Sequence, residues 1–225
     1  MDLAFIIEAL PRLLPGLWLT VQLSMVGLVI AAVIGLPLGT LRGELDHGVL
    51  KGIIDGYVFI VRGTPILVQV YAAYFLLPMA GLKLSPFWTG IVALVFNSAG
   101  YQVEIARAAV CSIEKGQWES AAALGLKRWA ALRLVVLPQA FPRMLPALAN
   151  EASNLVKASS VLSVIAVFEL HKSANAIISQ SFKFLEMLAA QAALYIAFVL
   201  VLTQLAGWLE RRTAGKINGG AEFLR

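Results

Sequence analysis

The chain has 225 residues, 60% hydrophobic and only 14% charged, with a mean hydropathy of +0.81. A soluble domain of this size carries about 25% charged residues, so the composition excludes a water-soluble fold, and the high hydrophobicity excludes disorder. On a chain this apolar the net charge of +5 reads as basic cytoplasmic loops, and no nucleic-acid partner is expected.

The single Cys111 leaves no intrachain disulfide, and His47 and His171 lie far apart with no ligand set around them, so no metal site is expected. The N-terminal stretch carries Asp2 and Glu8 and no basic n-region, which does not resemble a cleaved signal peptide.

Charge-free runs define the elements. About 20 helical residues at ~1.5 Å each cross the ~30 Å hydrocarbon layer. Leu13–Leu41, Gly63–Leu82, Leu84–Val103 and Met187–Leu209 contain no charge and qualify outright. A fifth run, Leu134–Phe168, is interrupted by Arg143, Glu151 and Lys157, which are expected to face protein. Continuous apolar runs without strand alternation predict helices. The expected fold is one all-α integral membrane domain with five transmembrane helices, at about 14–41, 56–80, 86–108, 138–168 and 186–209.

In the first span Gly27, Ala31, Gly35 and Gly39 recur every four residues, a seam that admits a second helix closely, and Pro37 predicts a kink. In the second, Arg62 sits at the inner end, where snorkelling to headgroups is one reading, and Pro65 shapes the start of the apolar run. Thirteen Lys and Arg fall on one side of this arrangement and four on the other, with Lys157 inside a span. The positive-inside bias puts the N-terminus outside and the C-terminus in the cytoplasm, with residues 211–225 as a short mobile tail.

The long inside loop, about 113–137, reads as a short helix around Trp118–Leu124, a glycine turn at Gly125, and a second helix leading to Pro138, which opens the fourth span. Such a Trp-bearing helix is either a knob for a partner's groove or an amphipathic helix on the lipid surface.

Intramembrane polarity falls on two helix faces. Asn97, Tyr101 and Glu104 share one, and Asn150, Asn154 and Lys157 share another, with Glu151 and Ser153 beside them. Charge at bilayer depth costs about 2.5 kcal/mol or more unless paired or hydrated. Two opposed faces would hold an ammonium and a carboxylate together. Against this, Glu104 with Arg107 could pair and seal the bundle, Lys157 could neutralise Glu151, and Asn97 and Asn154 could be interhelical glue. The expected path residues are Asn97, Tyr101, Glu104, Asn154, Lys157 and Ser160, with Arg62, Pro65, Arg107 and Pro138 as structural or gating positions.

Glu119-Ser-Ala with Gly125 and Leu137-Pro138 resembles the EAA loop of permease subunits of ATP-binding-cassette importers. Gly116-Gln117-Trp-Glu119, Leu137-Pro138-Gln139-Ala140, Arg62-Gly63-Thr64-Pro65, Glu104-Ile-Ala-Arg107 and Leu155-Val-Lys157-Ala-Ser-Ser160 together resemble the polar amino-acid uptake branch (histidine, glutamine, glutamate or arginine). Ser120 replaces a usual alanine, Ser159 a usual threonine, Ala158 an often polar residue, and Gly100 an alanine common before the tyrosine. The resemblance implies a bacterial inner-membrane protein whose coupling helix docks on an ATPase through Gln117, Glu119, Ala121, Ala122, Leu124 and Gly125. It further implies two ATPase subunits, a second permease (same chain or paralogue), an extracytoplasmic amino-acid-binding protein, and alternating access. No phosphate loop occurs, so the chain is expected not to be an enzyme and to hold no cofactor, ATP and Mg lying in the partners. The rival is an ion-gradient-driven secondary transporter, which commonly shows inverted repeats not found here. A purely structural anchor would not need Glu104, Glu151 and Lys157.

Overall fold

The computed structural model describes residues 2–45 and 47–221, with side chains to 212. Among them all regular structure is helical: α1 (Leu3–Glu44), α2 (Val49–Gly63), α3 (Ile66–Met79), α4 (Pro86–Cys111), α5 (Lys115–Ala123), α6 (Arg128–Ala131), α7 (Leu137–Ala158), α8 (Leu170–Ser181) and α9 (Phe184–Ala221). The helix from α6 to α7 is continuous through a π-helical turn at Leu132–Val136, and a 3-10 segment, Ser159–Ile165, extends α7.

Helices α1 and α9 are each long and apolar enough to cross a membrane, and the bent pairs α2–α3 and α6–α8 qualify if each is one span. Helix α4 does not qualify on composition. It carries Asn97, Gln102, Glu104 and Arg107, yet half of its 26 residues are buried by protein. A helix carrying these polar and charged residues thus sits at the centre, where neighbours rather than lipid solvate its polar groups.

The seam on α1 is what centres it. A Cβ on Gly35 would come within 2.7 Å of the Ala99 carbonyl oxygen, and one on Gly39 within 2.2 Å of the Val103 carbonyl oxygen, so the two backbones touch. Three apolar clusters line this axis. Leu13, Leu170, Ile177 and Met187 join α1 to α8 and α9; Leu23, Leu94, Leu155 and Leu162 join it to α4 and α7; Val110, Leu132, Val136 and Met144 lie beneath.

Several expected elements differ. The second span is not one helix: α2 and α3 meet at 111° around Thr64–Pro65. Proline has no N–H and pushes its predecessor out of the α region, and Thr64 is extended at φ −123°, ψ 142°. Pro138 does not open the fourth span, because the helix already starts at Arg128; the π turn before Pro138 is where the helix accommodates its missing donor. The stretch expected as an outer loop holds α8, capped by the Glu169 carboxylate, which accepts from the His171 and Lys172 amides at 2.8 Å each and from the Tyr195 hydroxyl at 2.9 Å. In the tail the backbone is helical to Ala221, and 222–225 lie outside the described residues. Gly100 has a local reason: a Cβ there would meet the Val61 side chain at 2.7–3.0 Å, so its loss of a methyl lets α2 dock on α4.

Candidate transport path and coupling surface

The break at Pro65 builds the site. The Val61 carbonyl would accept from the amide of residue 65, four positions on, but that residue is proline. Gln69, 7% exposed, supplies the substitute: its Nε2 lies 3.0 Å from Val61 O, 3.2 Å from Thr64 O and 3.0 Å from Thr64 Oγ1. Its Oε1 accepts from Asn97 Nδ2 at 2.9 Å, tying the bend to α4.

Beside this tie lies a cavity of about 290 Å³ lined by Thr64, Pro65, Ile66, Asn97, Tyr101, Glu151, Asn154, Leu155 and Ala158. Its wall includes the N-terminus of α3, whose first amides have no preceding turn to bond and carry the positive end of the helix dipole. Among the described lining residues only Glu151 is charged. It is 6% exposed, and Ser98 Oγ donates to its Oε1 at 2.6 Å, with Gln102 Nε2 donating to Ser98 at 3.2 Å. A carboxylate and a positive helix end thus line one small cavity, which suits a ligand carrying both an ammonium and a carboxylate.

The expected path residues separate. Asn97, Tyr101 and Asn154 share this cavity. Tyr101 also lines a second cavity, of about 470 Å³, with Arg62, Glu104, Ser112 and Arg143. Glu104 pairs with Arg107, whose Nε lies 2.9 Å from Glu104 Oε2, and both side chains stay 32% exposed. Lys157 lines neither cavity and is exposed on the isolated chain. It does not neutralise Glu151, which Ser98 engages instead. Ser160 turns its hydroxyl back to the Lys157 carbonyl at 2.7 Å and lines neither cavity. The i, i+3 spacing that puts Lys157 near Asn154 also rotates it off the cavity face. Arg62 and Pro65 each line a cavity, and Pro138 is exposed.

The hairpin at about 113–137 is built as its spacing suggests. Helix α5 ends in a Schellman motif, with Leu126 N bonding Ala121 O at 3.1 Å and Gly125 N bonding Ala122 O at 2.9 Å; Gly125 takes the required positive φ, +77°. Leu124 is 81% exposed, and Glu119, Ala122 and Gly125 are exposed with it. Ala121 is buried against the chain itself, so it anchors α5 rather than facing outward. Gln117 Oε1 accepts from Gln139 Nε2 at 3.0 Å, fastening α5 to α7. Trp118 is also an anchor: it packs on the inner apolar cluster and lies under Arg128, whose guanidinium sits 5.1 Å from the ring and bonds Glu44 at 2.9 Å. The exposed apolar knob is Leu124.

Sequence reasoning did not single out Gln69, Ser98 or Gln102. The available signals were a lone amide inside the charge-free run Gly63–Leu82 and an i, i+4 polar pair, Ser98 and Gln102, adjoining the Asn97 face. Among the described residues no group of three or more His, Cys, Asp or Glu could hold a metal ion.

A centrally buried polar helix, a broken helix beside a charged cavity and an exposed hairpin define a membrane transport permease. Residues 35–215 match the family of binding-protein-dependent transport system inner membrane components, and the chain belongs to that family. It is 40% identical over 213 residues to the glutamine transport system permease protein GlnP of Escherichia coli (strain K12), covering 94% of this chain and 97% of that protein. It is 34% identical over 216 residues to the arginine transport system permease protein ArtQ of Bacillus subtilis (strain 168), covering 94% and 97%. Among solved structures an amino acid ABC transporter superposes with a TM-score of 0.86 at 32% identity, covering 94% of this chain and 99% of that one. The MetNI methionine ABC transporter shares the fold, with a TM-score of 0.77 at 21% identity over 92% and 98% of the two chains. The chain is thus a membrane permease subunit of the amino-acid ABC transporter type, a transport component and not an enzyme, since in such systems the ATPase is a separate subunit. This answers the ion-gradient alternative.

Proposed function

We propose that the chain is the inner-membrane permease of a bacterial importer for a polar L-α-amino acid, and that the cavity between α3, α4 and α7 is its substrate site. The substrate's α-carboxylate meets the N-terminus of α3 and its ammonium meets Glu151. The observation that carries this reading is that Glu151 and that helix end line one cavity. A charge inside an apolar bundle is costly and marks function, and broken helices aim their positive ends at anionic substrate groups. Glutamine is the first candidate, because the relative at 40% identity is named for glutamine transport. Tyr101 and Asn154 offer side-chain partners for a terminal amide.

In the same reading five spans cross the membrane, with α2–α3 as one and α6–α8 as another, the N-terminus outside and the C-terminus in the cytoplasm. Glu119, Ala122, Leu124 and Gly125 present the coupling helix to an ATPase subunit. A second permease closes the cavity's open side, where Asn154 and Lys157 are exposed. A binding protein delivers substrate from outside, and ATP with Mg in two ATPase subunits drives alternating access.

The test is Glu151→Gln in the complex assembled with its ATPase subunits and binding protein in proteoliposomes. A charge-assisted hydrogen bond is worth about 1.5–3 kcal/mol. The concentration of L-glutamine giving half-maximal uptake should therefore rise about 10- to 100-fold. Unchanged half-saturation would refute the site.

A further inference from the structure

Resting on that reading of the cavity, we infer that Gln69 is a positioning residue that fixes which end of the Asn97 amide the substrate meets. The argument starts at Pro65. Because that residue has no N–H, the Val61 carbonyl has no helical donor, and the Thr64 carbonyl lies beside it at the end of α2. Backbone carbonyls only accept. Gln69, buried within reach of both and of Thr64 Oγ1, must therefore turn its NH2 to them; rotating its amide by half a turn would set oxygen against oxygen. With the nitrogen so committed, Gln69 Oε1 faces α4, and Asn97 must donate to it, as it does at 2.9 Å.

Asn97 thereby has its NH2 held at Gln69 by one N–H, and the other corner of its planar amide, Oδ1, is turned away from Gln69 on a residue that lines the cavity. The missing proton of one proline thus sets, through two amides, the polarity of the substrate site: Asn97 acts there as an acceptor. Together with Glu151 it makes an acceptor pair for the ammonium of an amino acid, in the cavity that the donor end of α3 also lines. The free ends of the site then match a zwitterion in one orientation only.

The inference separates from a merely structural role for Gln69 by a double-mutant cycle. In the assembled complex in proteoliposomes, with L-glutamine as probe, Gln69→Met should raise the half-saturating concentration about tenfold, since the freed Asn97 amide samples both orientations. Adding Asn97→Asp should restore half-saturation to within about threefold of wild type, because a carboxylate presents oxygen whichever way it turns. The same Asn97→Asp change with Gln69 intact should raise half-saturation by at least about threefold, because the new oxygen faces a Gln69 oxygen that the carbonyls hold in place. This last variant leaves the bend untouched and decides the matter even if Gln69→Met fails to assemble. Gln69→Met acting only on maximal rate, no rescue by Asn97→Asp, or wild-type half-saturation in the Asn97→Asp single variant would overturn the inference. If Glu151→Gln and Asn97→Ala also left half-saturation unmoved, the cavity itself would be the wrong site; if they raised it, only the positioning role of Gln69 would fall.

Discussion

Gly39→Ala is the sharpest test of how the bundle is held. The added Cβ would lie 2.2 Å from the Val103 carbonyl oxygen and 2.8 Å from Ala106 Cβ, where ordinary contact begins at 3.4 Å. Backbone cannot swing aside as a long side chain does, so α1 and α4 must part by about 1 Å, loosening the clusters along both. Overpacking of this kind costs about 1–3 kcal/mol. At about 2–4 °C per kcal/mol for a chain of this size, a cost of about 2 kcal/mol lowers the melting temperature by about 4–8 °C. The assay is thermal unfolding of the detergent-solubilised complex, followed by size-exclusion chromatography of what stays monodisperse. The structure also supplies a graded series. At Gly27 the same Cβ meets only Leu155 and Leu94 side chains at 3.6 Å, so alanine there should be neutral. Gly52 has nothing within 4 Å, and alanine should stabilise by about 0.5–1 kcal/mol through reduced unfolded-state freedom. A Gly39→Ala protein as stable as Gly27→Ala would show that the α1–α4 seam is not close-packed.

Other changes probe the hairpin and the outer end. Gly125→Val places a β-branched residue at φ +77°, so the Schellman turn should give way and ATPase stimulation by substrate in the assembled complex should be lost; a wild-type response would refute the coupling role. Glu169→Ala removes the acceptor of two amides and the Tyr195 hydroxyl at a fully buried position. It should cost at least about 3 kcal/mol, read as a melting temperature about 6 °C lower or more. Arg128→Ala breaks an exposed ion pair with Glu44 and a contact with the Trp118 face, and should cost under about 1 kcal/mol; a larger loss would mean that the hairpin depends on this one tether.

Much was legible before any coordinates, and for definite reasons. Apolar run length reports membrane residence because lipid cannot solvate a backbone, and that cost is local to each segment. The Gly27–Gly39 stripe announced a close helix contact, since only small side chains admit one. The α5–Gly125 turn was readable because a positive φ after a helix calls for glycine. What stayed hidden were contacts between segments far apart in sequence. Lys157 and Glu151 look like partners six residues apart on one helix, yet Ser98 on α4 takes the Glu151 carboxylate.

Sequence alone therefore determined that this is a helical membrane protein with a helix–glycine-turn–helix hairpin, because composition, turn chemistry and capping act over a few residues at a time. Tertiary structure alone decided which buried polar groups meet. The bend at Pro65 brings a helix end to the cavity that Glu151 lines, and it leaves a carbonyl that Gln69 must satisfy, tying that bend to Asn97. Hydrogen-bond partnership depends on distances of about 3 Å between helices, and nothing in the spacing along one helix fixes where its neighbour's carbonyls will stand.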